Sequence, residues 1–203
     1  MTHPSILASP NAPHAGDRID LVWHDEAACQ ALAAQLAQAL QPRLSAGGSL
    51  TLELHGTLGA GKTTFTRHLL RALGVQGRIK SPSYAVVEPH EAPGMAIHHF
   101  DFYRFNDPQE WEDAGFRDLF GAPGLKVVEW PEKAAGLLPV PDLQLHIDVM
   151  GMPHGPGAHA EADAPPGRTV QLRSGTASGQ SLLGRLAPST EAPVAAVKEA
   201  HHG

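Results

Sequence analysis

A glycine-rich stretch at residues 56–63, GTLGAGKT, combines the residue types that hold phosphate groups in proteins. It fits the pattern G-x-x-x-x-G-K-[ST] at every specified position. The glycines let the backbone curl so that successive N–H groups point inward and form a concave nest for phosphate oxygens. Lys62 can reach the β- and γ-phosphates of a nucleotide as a point charge, and the Thr63 hydroxyl can bind Mg²⁺. The stretch therefore predicts a nucleotide-binding phosphate loop.

The residues on either side of this loop form the elements that such a loop requires. Leucines at positions 50, 52 and 54 alternate with polar residues, a pattern typical of a short strand that runs into the loop. After the loop, Phe65, Leu69 and Leu73 recur at helical spacing, and Gly74 supplies a C-terminal stop. A helix that begins at the loop adds about half a positive charge at its N-terminus, which favours phosphate. The order of strand, glycine loop and helix predicts a phosphate site rather than a simple glycine turn.

Two acidic residues follow other predicted strands. Asp101 ends the β-like run at residues 95–100, and Glu129 ends the run at residues 125–128. Carboxylates at the C-terminal ends of parallel strands face the same rim of the sheet as the phosphate loop, where metal binding and water activation take place. Ser83, between the loop helix and the strand before Asp101, could sense the γ-phosphate through its hydroxyl. Taken alone, either carboxylate could equally be the solvated end of a strand.

Length and composition limit the classes of protein to which this chain can belong. Its 203 residues suffice for one domain with a sizeable core. The net charge of −6 argues against strong autonomous binding to nucleic acid. The single cysteine, Cys29, falls on the apolar side of a predicted helix and is expected to be a buried thiol. The sequence shows no signal peptide pattern and no apolar run near about 18 residues, so we expect a cytoplasmic protein without membrane contact.

Composition also divides the chain into segments. Residues 1–17 are rich in Pro, Ala, His and Ser without periodicity and are predicted to be a flexible N-terminal segment. Residues 18–187 are interpreted as one domain. Within it, residues 150–167 are loaded with Gly, Pro, Ala and His, and are interpreted as a disordered insertion loop. Residues 188–203 resemble a flexible polar tail.

The remaining periodicities predict an α/β fold. A mainly parallel central sheet is expected to be flanked by helices on both sides, with an antiparallel hairpin near the C-terminus. Asp25 is placed to N-cap a helix that is expected to end just before Pro42. The other predicted elements are strands at 19–23 and 84–87, a short helix at 111–120 broken at Gly115, an antiparallel pair of strands at 143–149 and 168–173, and a helix at 181–186.

Positive charge is concentrated on and after the loop helix, at Arg67, Arg71, Arg78 and Lys80. Such a cluster is usually a solvated face, and its functional alternative is a docking surface for a partner or tRNA. No arginine in the sequence can be singled out as a transition-state finger. Because such a residue typically contributes about 10³–10⁵ in rate, we expect slow hydrolysis by the isolated chain.

Three further motifs carry a resemblance to a known family. HFDFYR at residues 99–104, VEWP at 128–131 and SPSY at 81–84 occur together with the phosphate loop. In this combination the chain resembles TsaE (YjeE), the ATPase subunit of the bacterial tRNA threonylcarbamoyladenosine machinery. The similarity spans roughly residues 19–187, and it implies a P-loop NTPase fold for the ATPase domain.

The resemblance also implies an activity and partners. Members of the family bind ATP and Mg²⁺ and hydrolyse ATP slowly. They act with two partner proteins, TsaD and TsaB, which modify the adenosine beside the anticodon of certain tRNAs, so contact with tRNA would be indirect, through the complex. ATP hydrolysis is thought to reset that complex between turnovers.

The motif and the resemblance together give three sets of candidate residues. The catalytic set comprises Glu129, Asp101 and Lys62, and the metal-binding set comprises Thr63, Asp101 and Glu129. The nucleotide-binding set comprises Gly56, Gly59, Ala60, Gly61, Lys62, Thr63, Thr64, Ser83, Trp130, Glu26 and Arg168.

The sequence departs from the family pattern at two positions and leaves two other functions open. Thr57 stands where family members usually carry Asp, and Ser83 stands where Thr is usual. One alternative function is a small-molecule P-loop kinase, although no obvious arginine-bearing lid helix is present. The other is a nucleotide-gated adaptor without catalytic turnover.

Overall fold

A computed structural model of the chain describes residues 18–151 and 166–186. The predicted flexible segments at 1–17 and 188–203 lie outside the described residues. So does the predicted insertion loop, apart from its ends at residues 150–151 and 166–167. Over the described part of the chain, no helix combines the length and the apolar character needed to cross a bilayer.

A seven-stranded sheet forms the centre of the structure. Its strands are β1 (Arg18–Trp23), β2 (Ser49–His55), β3 (Val87–Ala92), β4 (Met95–Asp101), β5 (Gly124–Glu129), β6 (Leu143–Val149) and β7 (Arg168–Ser174). Their order is β1-β7-β6-β2-β5-β4-β3. The strands β6, β2, β5 and β4 pair in parallel, whereas β3 and β7 run antiparallel to their neighbours. The predicted mainly parallel sheet with an antiparallel pair near the C-terminus is therefore confirmed.

Helices lie on both faces of this sheet, as predicted. They are α1 (Glu26–Ser45), α2 (Lys62–Ala72), α3 (Pro108–Asp113), α4 (Phe116–Gly121), α5 (Ala177–Leu186) and a 3₁₀ helix at Pro131–Ala134. The two faces differ in composition because neighbouring strand residues point in opposite directions. On β4, for example, Ile97 belongs to a large aliphatic cluster with α1, α2 and α5, whereas Phe100 belongs to a smaller aromatic cluster with α3 and α4.

The aliphatic cluster supports the phosphate loop from both ends. Leu50, Leu52 and Leu54 of β2 and Phe65 and Leu69 of α2 are all at most 2% exposed. Burying side chains of this size contributes about 1.5–3 kcal/mol each, so the strand before the loop and the helix after it are both firmly anchored.

Two local predictions were wrong, and each has a physical reason. Helix α1 continues past Pro42 to Ser45, because Leu44 in the added turn is buried against the core at 1% exposure. The strand expected at 84–87 instead runs over Val87–Ala92, and it tolerates Pro89 because β3 is an edge strand. By contrast, the Asp25 cap is confirmed, since its Oδ1 accepts the Ala28 N–H at 2.9 Å.

Candidate nucleotide-binding site

The phosphate loop connects the end of β2 to the start of α2, and its glycines are required by the backbone. Gly56 has φ +141° and Gly61 has φ +116°, a region that residues with a side chain rarely adopt. A Cβ atom at Gly56 would also lie 2.3 Å from the carbonyl oxygen of Ile147 on β6. The loop therefore curls tightly against the neighbouring strand before the helix begins at Lys62.

Lys62 is buried inside the loop at 4% exposure. Its Nζ donates to the carbonyl oxygens of Gly56 at 2.6 Å and Thr57 at 3.0 Å, and it lies 3.8 Å from the centre of the Trp130 ring. Burial lowers the pKa of the Lys62 ammonium, and the nearby carboxylates, Glu129 foremost, oppose that shift. Neutral carbonyls and an aromatic face hold this cation in place while leaving its charge available to an anion.

Glu129 lies at the end of β5, directly beside the start of the loop helix. Its Oε2 accepts the Thr63 hydroxyl at 2.8 Å. Its Oε1 is 2.8 Å from His99 Nε2 and 3.4 Å from the Thr66 hydroxyl, whose closer acceptor is the Lys62 carbonyl at 3.1 Å. The side chain is only 2% exposed, so three polar groups compensate for the burial of this carboxylate.

Asp101 ends the neighbouring strand and pairs in register with Glu129. Its Oδ2 accepts a hydrogen bond from the Ser81 hydroxyl, and its Oδ1 accepts the backbone N–H of Tyr103 at 3.0 Å. The prediction that both carboxylates share one rim of the sheet agrees with this arrangement, because the two strands are parallel neighbours.

Trp130 follows Glu129 in a left-handed backbone conformation with φ +58°. Such a conformation is uncommon for a bulky residue and persists only where the surroundings enforce it. The ring packs against Tyr103 at 5.0 Å between centroids, as well as against the Lys62 ammonium. The strained backbone thus directs an aromatic side chain over the phosphate loop.

One cavity of about 390 Å³ brings most of the predicted site residues together. The predicted residues that line it are Gly59, Gly61, Lys62, Thr63, Thr64, Ser83, Asp101, Glu129 and Trp130. Gly56 does not line this cavity. Its backbone carbonyl accepts a hydrogen bond from Lys62 and so helps to position that side chain.

The other predicted residues line a second cavity of about 260 Å³ that also borders the loop. Glu26, Ala60 and Arg168 line it, and Gly61 and Thr64 border both cavities. The Arg168 Nε donates to the Ala60 carbonyl at 3.1 Å, which ties β7 to the loop. Two other residues in its lining are Trp23, which stacks on Phe65 at 5.8 Å, and the buried Cys29.

The thiol in this second cavity is the one predicted to be buried. Cys29 is 4% exposed, and burial raises the pKa of its thiol to about 12. A thiol with so high a pKa carries almost no thiolate at neutral pH, so it packs as a small apolar group.

Five polar residues in or beside the first cavity were not selected from the sequence as candidates, and three of them, Ser81, Tyr103 and Arg104, line it. His99 and Thr66 contact Glu129, and Ser81 contacts Asp101. Strand alternation offers a signal for His99, because it lies two residues before Asp101 and therefore on the same face of β4. Thr66 could have been found from its position one turn after Lys62 on α2.

Two arginines of the basic cluster, both on α2, make contacts with their own chain. Arg67 Nε donates to the Ile79 carbonyl at 3.4 Å, and the Arg71 guanidinium donates to the carbonyls of Val75 and Gly77. These contacts brace the segment that leads from α2 to Ser81 and the rim.

Comparison with known proteins identifies the family. A family model described as "Threonylcarbamoyl adenosine biosynthesis protein TsaE" matches residues 23–153, more than half of the chain. The chain belongs to the TsaE family. The match includes the phosphate loop and both rim carboxylates.

Curated relatives agree with this assignment. The chain is 46% identical over 100 residues to the tRNA threonylcarbamoyladenosine biosynthesis protein TsaE of Haemophilus influenzae, covering 49% of this chain and 63% of that protein. It is 37% identical over 105 residues to the protein of the same name from Bacillus subtilis, covering 52% and 64%. For the Rickettsia felis protein, identity is 31% over 131 residues, covering 64% and 72%. The match thus spans just under two thirds of the length of the first two relatives.

A solved structure supports the fold. A crystal structure described as Bacillus subtilis YdiB superposes with a TM-score of 0.59, covering 83% of this chain and 95% of that one. Sequence identity over this match is 23%, so the likeness concerns the fold alone. Together with the sheet order, it confirms the predicted P-loop NTPase fold.

Proposed function

We propose that this chain is the Mg²⁺-dependent ATPase component of the machinery that makes N6-threonylcarbamoyladenosine in tRNA. In this proposal it acts with TsaD-like and TsaB-like proteins, and it meets tRNA only through that complex. The observation that carries the proposal is the convergence of Lys62, Thr63, Asp101 and Glu129 on one cavity. Membership of the TsaE family connects that ATPase chemistry to tRNA modification.

The chemistry of the donors fits a magnesium nucleotide. Mg²⁺ prefers hard oxygen ligands and is usually held by one or two carboxylates together with substrate phosphates. Thr63 supplies a hydroxyl, and Asp101 and Glu129 supply carboxylates, all lining the same cavity. The loop glycines and Lys62 would hold the phosphates themselves, since Lys62 already lies within the loop with its Nζ on two carbonyl oxygens.

The second cavity suits the nucleoside end of the same ligand. It shares Gly61 and Thr64 with the first cavity, so a molecule in both would pass across the start of α2. Its wall combines an apolar part, Trp23 and Cys29, with the charged side chains of Glu26 and Arg168. Such a mixture of apolar surface and a few polar groups is typical of sites that bind small molecules.

Lys62, Glu129 and Asp101 would each have a separate role in hydrolysis. Lys62 would exchange its carbonyl acceptors for phosphate oxygens and stabilise the charge that develops on them. Glu129 would orient a water molecule for in-line attack on the γ-phosphate and accept its proton at Oε2. Asp101 would help to hold the metal. When bound, Mg²⁺ supplies charge neutralisation at the phosphates.

Co-purification tests this function most directly. The chain would be expressed with TsaD-like and TsaB-like proteins, purified with and without ATP, and assayed for threonylcarbamoyladenosine with added tRNA and an activated threonylcarbamoyl donor. We expect ATP-dependent assembly, release of free phosphate, and modified nucleoside only when this chain is present. A phosphorylated small molecule in place of free phosphate would favour a kinase. Full modification with a non-hydrolysable ATP analogue would favour an adaptor.

A further inference from the structure

His99 is a buried histidine on the strand that carries Asp101, and it has no role in the hydrolysis proposed above. Its side chain is completely inaccessible to solvent, and its Nε2 lies 2.8 Å from Oε1 of Glu129. Its other ring nitrogen, Nδ1, is buried and has no hydrogen-bond partner among residues 18–151 and 166–186. A histidine whose role was only to fill the core would not need to point a ring nitrogen at a buried carboxylate.

The direction of this hydrogen bond follows from the chemistry of the acceptor. An ionised carboxylate only accepts hydrogen bonds, so Nε2 of His99 must carry the hydrogen whether or not the ring is charged. Within the described part of the chain, no partner of Nδ1 competes for the ring orientation. The ring is therefore held as a donor aimed at one oxygen atom of Glu129.

The two carboxylate oxygens of Glu129 accept hydrogen bonds from different groups, and only one of those groups is proposed to contact the nucleotide. Oε2 accepts the Thr63 hydroxyl at 2.8 Å, and this hydroxyl is proposed to serve the nucleotide and its metal. Oε1 is held by His99 at 2.8 Å and more loosely by Thr66 at 3.4 Å. If Thr63 turns to the nucleotide, His99 is the close donor that still fixes the carboxylate.

We propose that His99 is a positioning residue, whose Nε2–H anchors Oε1 of Glu129 so that Oε2 is presented to the attacking water. The proposal rests on the proposed ATPase function, in which Glu129 orients that water. Groups that orient a functional side chain in this way typically change activity by about 10–100-fold when removed.

Three substitutions separate the hydrogen bond from simple packing. His99→Leu removes the donor and keeps an apolar side chain in the buried site. His99→Gln restores an N–H donor, since a glutamine amide carries its nitrogen at a similar distance from the backbone as Nε2 of histidine. His98→Gln is the matched control, because His98 is the adjacent residue on the opposite face of the strand, beside Phe100. Thermal melting of each variant establishes that it is folded.

Kinetics provide the first measurement. We expect His99→Leu to lower kcat for Mg·ATP by about 10–100-fold while calorimetry shows ADP affinity within about threefold of the wild type. His99→Gln should recover most of the lost turnover, and His98→Gln should leave it unchanged. Wild-type turnover in folded His99→Leu would overturn the proposal. Turnover in His99→Gln as low as in His99→Leu would do the same, because packing rather than the donor would then be responsible.

An NMR measurement on the nucleotide-free protein does not depend on activity. With ¹⁵N-labelled histidine, we expect a slowly exchanging Nε2–H signal that is lost in His99→Gln and shifts or exchanges rapidly in Glu129→Ala. A protected signal unaffected by Glu129→Ala, or no protected signal at all, would overturn the proposal. If the wild-type protein proved to hydrolyse no ATP, the proposed function would fail, and this measurement would still decide whether His99 anchors Glu129.

Discussion

The two rim carboxylates, Asp101 and Glu129, are register partners on neighbouring strands, yet they are connected to different parts of the molecule. Asp101 is held by the Ser81 hydroxyl and by the Tyr103 backbone, which belong to the segments before β3 and after β4. Glu129 is held by residues of the loop helix, Thr63 and Thr66, and by His99. The position of Asp101 is therefore fixed by the connecting segments, and the position of Glu129 is fixed mainly by the helix that follows the phosphate loop.

This difference implies a division of roles along one rim. A carboxylate tied to the loop helix keeps a fixed position relative to the phosphates, as water activation demands. A carboxylate tied to exposed connecting segments is better suited to share a metal whose position can adjust, because such segments are the more mobile part of a fold. Glu129 is thus expected to control turnover, and Asp101 to control the requirement for metal.

The largest expected effect is that of Glu129→Ala. Removing the group that orients the attacking water should lower kcat by about 10²–10⁴-fold, while nucleotide binding persists because the loop and Lys62 remain. Phosphate release and calorimetric titration with ADP, on the same preparation, measure the two quantities. Turnover close to that of the wild type would remove Glu129 from the mechanism.

A smaller and different effect is expected for Asp101→Asn. The asparagine oxygen can still accept the Tyr103 N–H, so the backbone should stay in place while the negative charge is lost. The Mg²⁺ concentration for half-maximal hydrolysis should rise by about 10–100-fold, with kcat at saturating Mg²⁺ much less affected. A loss of kcat that excess Mg²⁺ cannot repair would mean that the two carboxylates share one role.

Ser81→Ala should give the smallest effect of the series. It removes a hydroxyl donor from Asp101 but leaves the carboxylate charge. A hydrogen bond to a carboxylate contributes about 1.5 kcal/mol at the low end of its usual range, so the Mg²⁺ requirement should rise by about tenfold. The Mg²⁺ titration used for Asp101→Asn measures it. A change in kcat without a change in the Mg²⁺ requirement would contradict the proposal that Ser81 supports metal binding by Asp101.

Much of the site could be predicted because it follows from local patterns. The glycine motif requires its residues to be adjacent in sequence, and the two β-like runs end at Asp101 and Glu129. The meeting of those carboxylates then depends only on parallel strands having their C-terminal ends at one rim.

The sequence could place His99 and Thr66 on suitable faces of β4 and α2, but it could not predict that both contact Glu129. The contact between His99 and Glu129 depends on the pairing of β4 with β5. It also depends on how closely α2 packs against the sheet. Both are long-range features of the fold. The burial of Lys126, at 0% exposure, also depends on a long-range contact. Its Nζ donates to the Ser49 hydroxyl, 77 positions away in the sequence, at 2.9 Å. The alternation of β4 places His99 on the same face as Asp101, but it does not show that His99 reaches Glu129.

The central claim is that the loop at residues 56–63 grips the phosphates of a magnesium nucleotide through its backbone amides and Lys62. Isothermal titration of the folded protein with Mg·ADP and Mg·ATP tests it most directly, with Lys62→Ala as the control. We predict saturable heat of binding for the wild type and none for the variant, both with cooperative thermal melting. Folded wild-type protein that gives no heat with either nucleotide would contradict the account.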